Sequence, residues 1–107
     1  MAYYNKLVRD KIPELLEQAG KKGTFRILGD KEFESELKKK LAEGVKEYRD
    51  AVSESDAAEE LAGLFEILIS LTKVHHLTLR ELDEIRQLKA KKHGRFHERL
   101  FLIKVED

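Results

Sequence analysis

The sequence predicts a mainly all-α protein, a helical bundle of about four helices with a small peripheral β element. Three observations carry that expectation. Apolar residues recur at spacings of three and four along the central segments, capping residues stand ahead of them, and glycines stand where helices would end. At 107 residues the chain suits one small domain, residues 1–107, with a modest core.

Asp10 is placed to cap a short helix running to about Ala19, with Pro13 tolerated in its first turn and Gly20 ending it. An extended basic segment, Asn5-Lys6-Leu7-Val8-Arg9, precedes it. Thr24 to Leu28, enclosed by Gly23 and Gly29, reads as a brief strand or extended loop. Asp30 opens a long helix whose apolar face is Phe33, Leu37, Leu41, Val45, Tyr48 and Val52, with Lys38, Lys39, Glu43 and Lys46 on the other side. Ser53 to Asp56 breaks it. Asp56 and Glu59 form a capping-box pattern for a third helix ending near His75, and Thr78 with Glu81 repeats the device for a fourth. That last helix carries Leu79, Leu82, Ile85 and Leu88 and stops at Gly94. The tail, Arg99 to Val105, reads as a strand able to pair with Phe25–Leu28.

Composition narrows the function classes. Charged residues make up 39% of the chain but sum to zero, so no overall field favours nucleic acid or an anionic membrane. The apolar run Ile67 to Leu71 is too short to span a bilayer, and the opening residues lack a signal-peptide apolar core. Cysteine is absent, which removes disulfides and thiolate chemistry and fits a cytoplasmic protein. Three or four helices of this length leave a broad apolar face, so a homodimer or higher homo-oligomer is expected.

The most informative residue is Glu60. At 3.6 residues per turn it stacks with Leu64, Ile67 and Leu71, while Glu59, Glu66 and Ser70 fall away from that row. A carboxylate on an apolar stripe needs a partner, either a metal ion or a lysine or arginine from a neighbouring helix. On the preceding helix Glu43 and Glu47 stand one turn apart on one side and can converge on one ion. Hard oxygen donors on two facing helices suit Mg²⁺-assisted phosphoryl hydrolysis, in which the metal neutralises phosphate charge.

At these residues the chain resembles a known group. Lys40-Leu41-Ala42-Glu43-Gly44-Val45-Lys46-Glu47 and Glu59-Glu60-Leu61-Ala62-Gly63-Leu64-Phe65-Glu66 are similar to the paired acidic motifs of the all-α nucleoside triphosphate pyrophosphatases, the MazG and phosphoribosyl-ATP pyrophosphohydrolase group. Tyr4-Asn5-Lys6-Leu7-Val8-Arg9-Asp10-Lys11-Ile12-Pro13 resembles the opening of a small MazG-related branch, and Arg86 to Arg99 its C-terminal end. The resemblance implies Mg²⁺-dependent cleavage of a nucleotide between its α and β phosphates, in a bundle usually completed by a second subunit. It also implies that Glu43, Glu47 and Glu60 are catalytic metal ligands.

Two ligand positions of the family pattern hold glycine here, Gly44 and Gly63. Mid-helix glycine costs about 1 kcal/mol against alanine, so propensity does not explain them. Glycine can serve close helix contact, or it can mark two lost carboxylates; the resemblance then implies weakened Mg²⁺ binding and impaired turnover. The alternative is a catalytically inactive nucleotide-binding or protein-interaction module of the same fold.

Lys6, Arg9 and Lys11 cluster beside a helix start and, with the resemblance, read as substrate phosphate-binding residues, against a solvated basic segment. Lys89, Lys91, Lys92, Arg95 and Arg99 form a second basic end that helix-dipole complementarity explains. His75, His76, His93 and His97 read as surface residues. No glycine-rich phosphate loop, serine nucleophile pattern or zinc motif occurs.

Overall fold

In a computed structural model describing Met1–Asp107, the chain is all-α: four helices hold 59% of the residues and there is no strand. The helices are α1 (Ile12–Gln18), α2 (Asp30–Arg49), α3 (Glu54–Val74) and α4 (Leu79–His93). They fall into two compact units, Met1–His76 with the first three helices and Leu77–Asp107 with the fourth. None is long and apolar enough to cross a membrane.

In the first unit α2 and α3 pack together, and no other pair of its helices does. Their seam follows the apolar periodicity: Phe33 and Leu41 of α2 and Leu64, Ile67 and Leu71 of α3 are half-buried, and Leu37 is only 4% exposed. Val52 lies beyond the end of α2 and is 91% exposed, so the apolar face stops at Tyr48. The seam is tightest at Gly44, which is buried; a Cβ there would stand 2.8 Å from Leu64 Cδ2. Close helix approach therefore accounts for this glycine. Gly63 is different, since a Cβ there meets nothing within 4 Å.

The ends of the helices show which capping signals won. Thr78 and Glu81 form the predicted reciprocal box: the Glu81 N–H donates to Thr78 Oγ1 and the Thr78 N–H to Glu81 Oε1, both at 3.0 Å. Gly94 ends α4 at φ +86°, and Gly20 follows α1 at φ +72°. Two caps differ from expectation. Ser53, not Asp56, caps α3, its hydroxyl accepting the Asp56 N–H at 3.1 Å, so the break between α2 and α3 falls earlier in the chain than the sequence suggests. Asp10 makes no cap; α1 starts one residue later with Lys11 at the cap position, and Pro13 supplies the start. At the far end of α3, His76 takes the left-handed turn position at φ +60° that glycine would fill at less cost.

The expected β element does not form. Phe25 folds back instead, so that its ring stands with Leu16 around Gly23, and Arg26 makes a bidentate pair with Glu32 in the first turn of α2 (2.9 and 2.6 Å). Those contacts hold the segment in a loop. In the second unit, Arg99 at φ +59° interrupts the extended run, and Leu100, Phe101, Leu102, Ile103 and Val105 are exposed. A strand without a paired neighbour gains no ladder hydrogen bonds, so β-prone composition alone is insufficient.

Candidate acidic site between the second and third helices

The α2–α3 seam places Glu60 as its periodicity requires, half-buried in the row of Leu64, Ile67 and Leu71. Glu59 and Glu66 are exposed on the side away from it, whereas Ser70 is half-buried. A lysine or arginine partner for Glu60 is not there: none of the ion pairs of the chain includes it. Its neighbour is another acid. Burial pushes the Glu60 carboxyl above the ordinary carboxylate range, and a hydrogen-bonding approach by the Glu47 carboxyl, repulsion from Glu47, and the charges of Asp56 and Glu59 push it further.

Glu43, Glu47 and Glu60 line one open hollow of about 530 Å³, together with Lys46, Asp50, Ala51, Val52 and Asp56. The structure thus brings the three predicted acids to one place, yet no three acidic or histidine side chains converge closely enough to form a metal cage. Glu43 and Glu47 are exposed at its rim. The donor set fits Mg²⁺ in kind. Magnesium is bound through one or two carboxylates while it keeps waters and substrate phosphate oxygens, and a divalent cation relieves the repulsion between Glu47 and Glu60.

Lys6, Arg9 and Lys11 are exposed and none lines the hollow. The Lys6 ammonium instead sits 5.8 Å from the centre of the Tyr4 ring, within cation–π range. The cation that does line the hollow is Lys46, on the side of α2 that the helix period sets opposite its apolar face. Asp50 and Asp56 line it too, and the spacing that marks Glu43, Glu47 and Glu60 does not single them out. Asp56 had a signal, standing one turn before Glu60, but its capping position masked it. The four histidines are exposed, as expected.

No protein-family model matches this chain, and no curated protein or solved structure matches it.

Proposed function

We propose that this chain is a MazG-like nucleotide pyrophosphohydrolase scaffold, acting on a nucleotide between its α and β phosphates with Mg²⁺, in which Gly63 leaves the metal site short of a carboxylate and turnover low, while Gly44 answers to the close helix approach at Leu64. One observation supports the reading above the others: Glu47 and Glu60, from facing helices, line one hollow beside the apolar seam, and no cation of the chain pairs with Glu60. Such an arrangement costs stability unless it serves a ligand.

Glu47 and Glu60 are the residues that would hold the ion, with Glu43 at the rim of the same hollow. Mg²⁺ held there would supply the charge that neutralises the phosphates during attack by water. With Glu47 and Glu60 given to the ion, Glu43 at the rim of the same hollow is the carboxylate left to take a proton from the attacking water. Lys46 stands in the hollow to meet a phosphate oxygen. Lys6, Arg9 and Lys11 act on phosphate in this reading only by moving toward the bound nucleotide. Homo-oligomeric assembly and a cytoplasmic location belong to the same proposal.

The test is Mg²⁺-dependent pyrophosphate release from a panel of nucleoside triphosphates by the unaltered chain, by Gly63→Asp and by Gly44→Glu/Gly63→Asp. Gly63→Asp is the cleaner repair because the added side chain meets open space, whereas Gly44→Glu must displace Leu64. Release that rises in Gly63→Asp supports a depleted site. Nucleotide binding indifferent to Mg²⁺, with silence in all three proteins, would favour the inactive binding module.

A further inference from the structure

The zero net charge of the whole chain hides a local excess. Over residues 89–105, six lysines and arginines stand against one acid, Glu98. Lys89, Lys91, Lys92, Arg95 and Arg99 are exposed, and none of them belongs to an ion pair. Lys104 alone of the six has an acidic partner, Glu106 at 3.1 Å. The helix dipole answers for the cations in the last turn of α4, Lys91 and Lys92, but not for Arg95 and Arg99, which follow Gly94. Two acids nearer the start of α4 are already occupied, Glu84 by Arg80 and Asp83 by Arg86.

Apolar side chains stand among these cations. Phe96, Leu100, Phe101, Leu102, Ile103 and Val105 are each at least 76% exposed. The run from Leu100 is apolar on both alternate sets, Leu100 and Leu102 on one and Phe101, Ile103 and Val105 on the other, so neither side is suited to water. No backbone hydrogen bond reaches past Arg99, whose N–H donates to the Phe96 carbonyl at 3.2 Å.

We propose that residues 89–105 form a surface that docks reversibly on an anionic lipid bilayer, the cations meeting headgroup phosphates while the apolar side chains from Leu100 to Val105 enter the acyl boundary. Charge and apolar area point to the same partner. Clustered lysines and arginines are drawn to the negative potential of an anionic leaflet, and a short apolar run beside them adds a hold that charge alone lacks. Their long stems lie along the apolar layer while the charged heads stay among the phosphates. The docking is peripheral, since no helix is long and apolar enough to cross a membrane. At headgroup level the unpaired backbone past Arg99 keeps its water, which the bilayer core would deny it. A nucleic acid would meet the same cations, but Leu100, Leu102, Ile103 and Val105 are aliphatic and have no ring to stack on a base. A second copy of the chain would set its own unpaired cations against these, and like charges repel.

The docking stands or falls apart from the nucleotide reading, whose acids lie in the first unit. The chain has no tryptophan, so Phe101→Trp carries a single indole reporter. Its emission should shift to the blue on vesicles of phosphatidylcholine and phosphatidylglycerol in equal parts, revert as salt is raised, and stay unmoved on phosphatidylcholine alone. Ile27→Trp, at an apolar position of the first unit that is 99% exposed and whose neighbour Arg26 is paired with Glu32, should shift on neither. In flotation with the mixed vesicles, Lys91→Gln/Lys92→Gln should bind roughly tenfold or more weakly than the unaltered chain. Leu102→Ser/Ile103→Ser should also lose binding while its circular dichroism stays unchanged, because both side chains are exposed. An unaltered chain that floats with neither kind of vesicle would overturn the proposal, as would equal flotation with both or equal shifts at residues 27 and 101. A Phe101→Trp shift on single-stranded DNA, with none on the mixed vesicles, would assign the surface to nucleic acid instead.

Discussion

Glu60 in the first unit and Asp83 in the second are both half-buried carboxylates within helices, yet their neighbours drive them in opposite directions. Asp83 accepts from Arg86 Nε and from Gln87 Nε2, each at 2.7 Å, and these hydrogen bonds hold it below the ordinary carboxylate range. Both donors lie within four residues on α4, so the site is complete within one helix. Glu60 meets Glu47 from another helix and is held above that range. Local sequence supplied a partner in one case; tertiary packing supplied a competitor in the other. A carboxylate left so is a place where ligand binding can recover what folding gave up.

The largest expected effect comes from breaking the seam that creates the competition. Leu37→Ala should destabilise the protein by about 2–4 kcal/mol, measured by denaturant unfolding, because it opens a cavity at the most buried apolar position. Thr78→Ala, in the locally completed second unit, should cost helix α4 about 1 kcal/mol through loss of the reciprocal box, read by circular dichroism on heating. Gly63→Ala should stabilise by up to about 1 kcal/mol, and Gly44→Ala by less, because only the latter must push Leu64 aside. Equal gains at the two glycines would show that close approach does not explain Gly44.

The smallest effect concerns pH. Glu60 has a raised folded-state pKa, so its contribution is fully present below the ordinary carboxylate value and is lost as pH rises through the raised one. Asp83 has a lowered value, so its contribution is present above the ordinary carboxylate value and is lost as pH falls through the lowered one. Chemical denaturation across mildly acidic to neutral pH should therefore show Glu60→Gln gaining on the unaltered chain as pH rises. Asp83→Asn should run level with the unaltered chain over that interval and lose ground only in the more acidic range, as pH rises toward the ordinary carboxylate value. Parallel profiles for the two variants would dissolve the contrast between them.

Periodicity and capping made much of this fold legible. The spacing of Leu37, Leu41, Leu64, Ile67 and Leu71 placed the α2–α3 seam, Thr78 with Glu81 fixed the start of α4, and the apolar row put Glu60 in a half-buried position. What failed was whatever depended on choosing among several capable partners. Ser53 and Asp56 can both cap α3, and the residue one position ahead of the helix took the role. Arg99–Val105 has strand composition, but pairing is a tertiary event that composition does not supply. The acids of the hollow were named from spacing, whereas Lys46, Asp50 and Asp56 enter it through the geometry of the turn between α2 and α3, which spacing does not encode.

The claim that Glu47 and Glu60 form a ligand-ready pair is tested most directly by following the side-chain carboxyl carbons by NMR through a pH titration, with and without Mg²⁺. A Glu60 that titrates above ordinary glutamates without the ion, and whose pKa falls when Mg²⁺ is added, is the predicted result. A Glu60 that titrates within the ordinary glutamate range and ignores Mg²⁺ would contradict it.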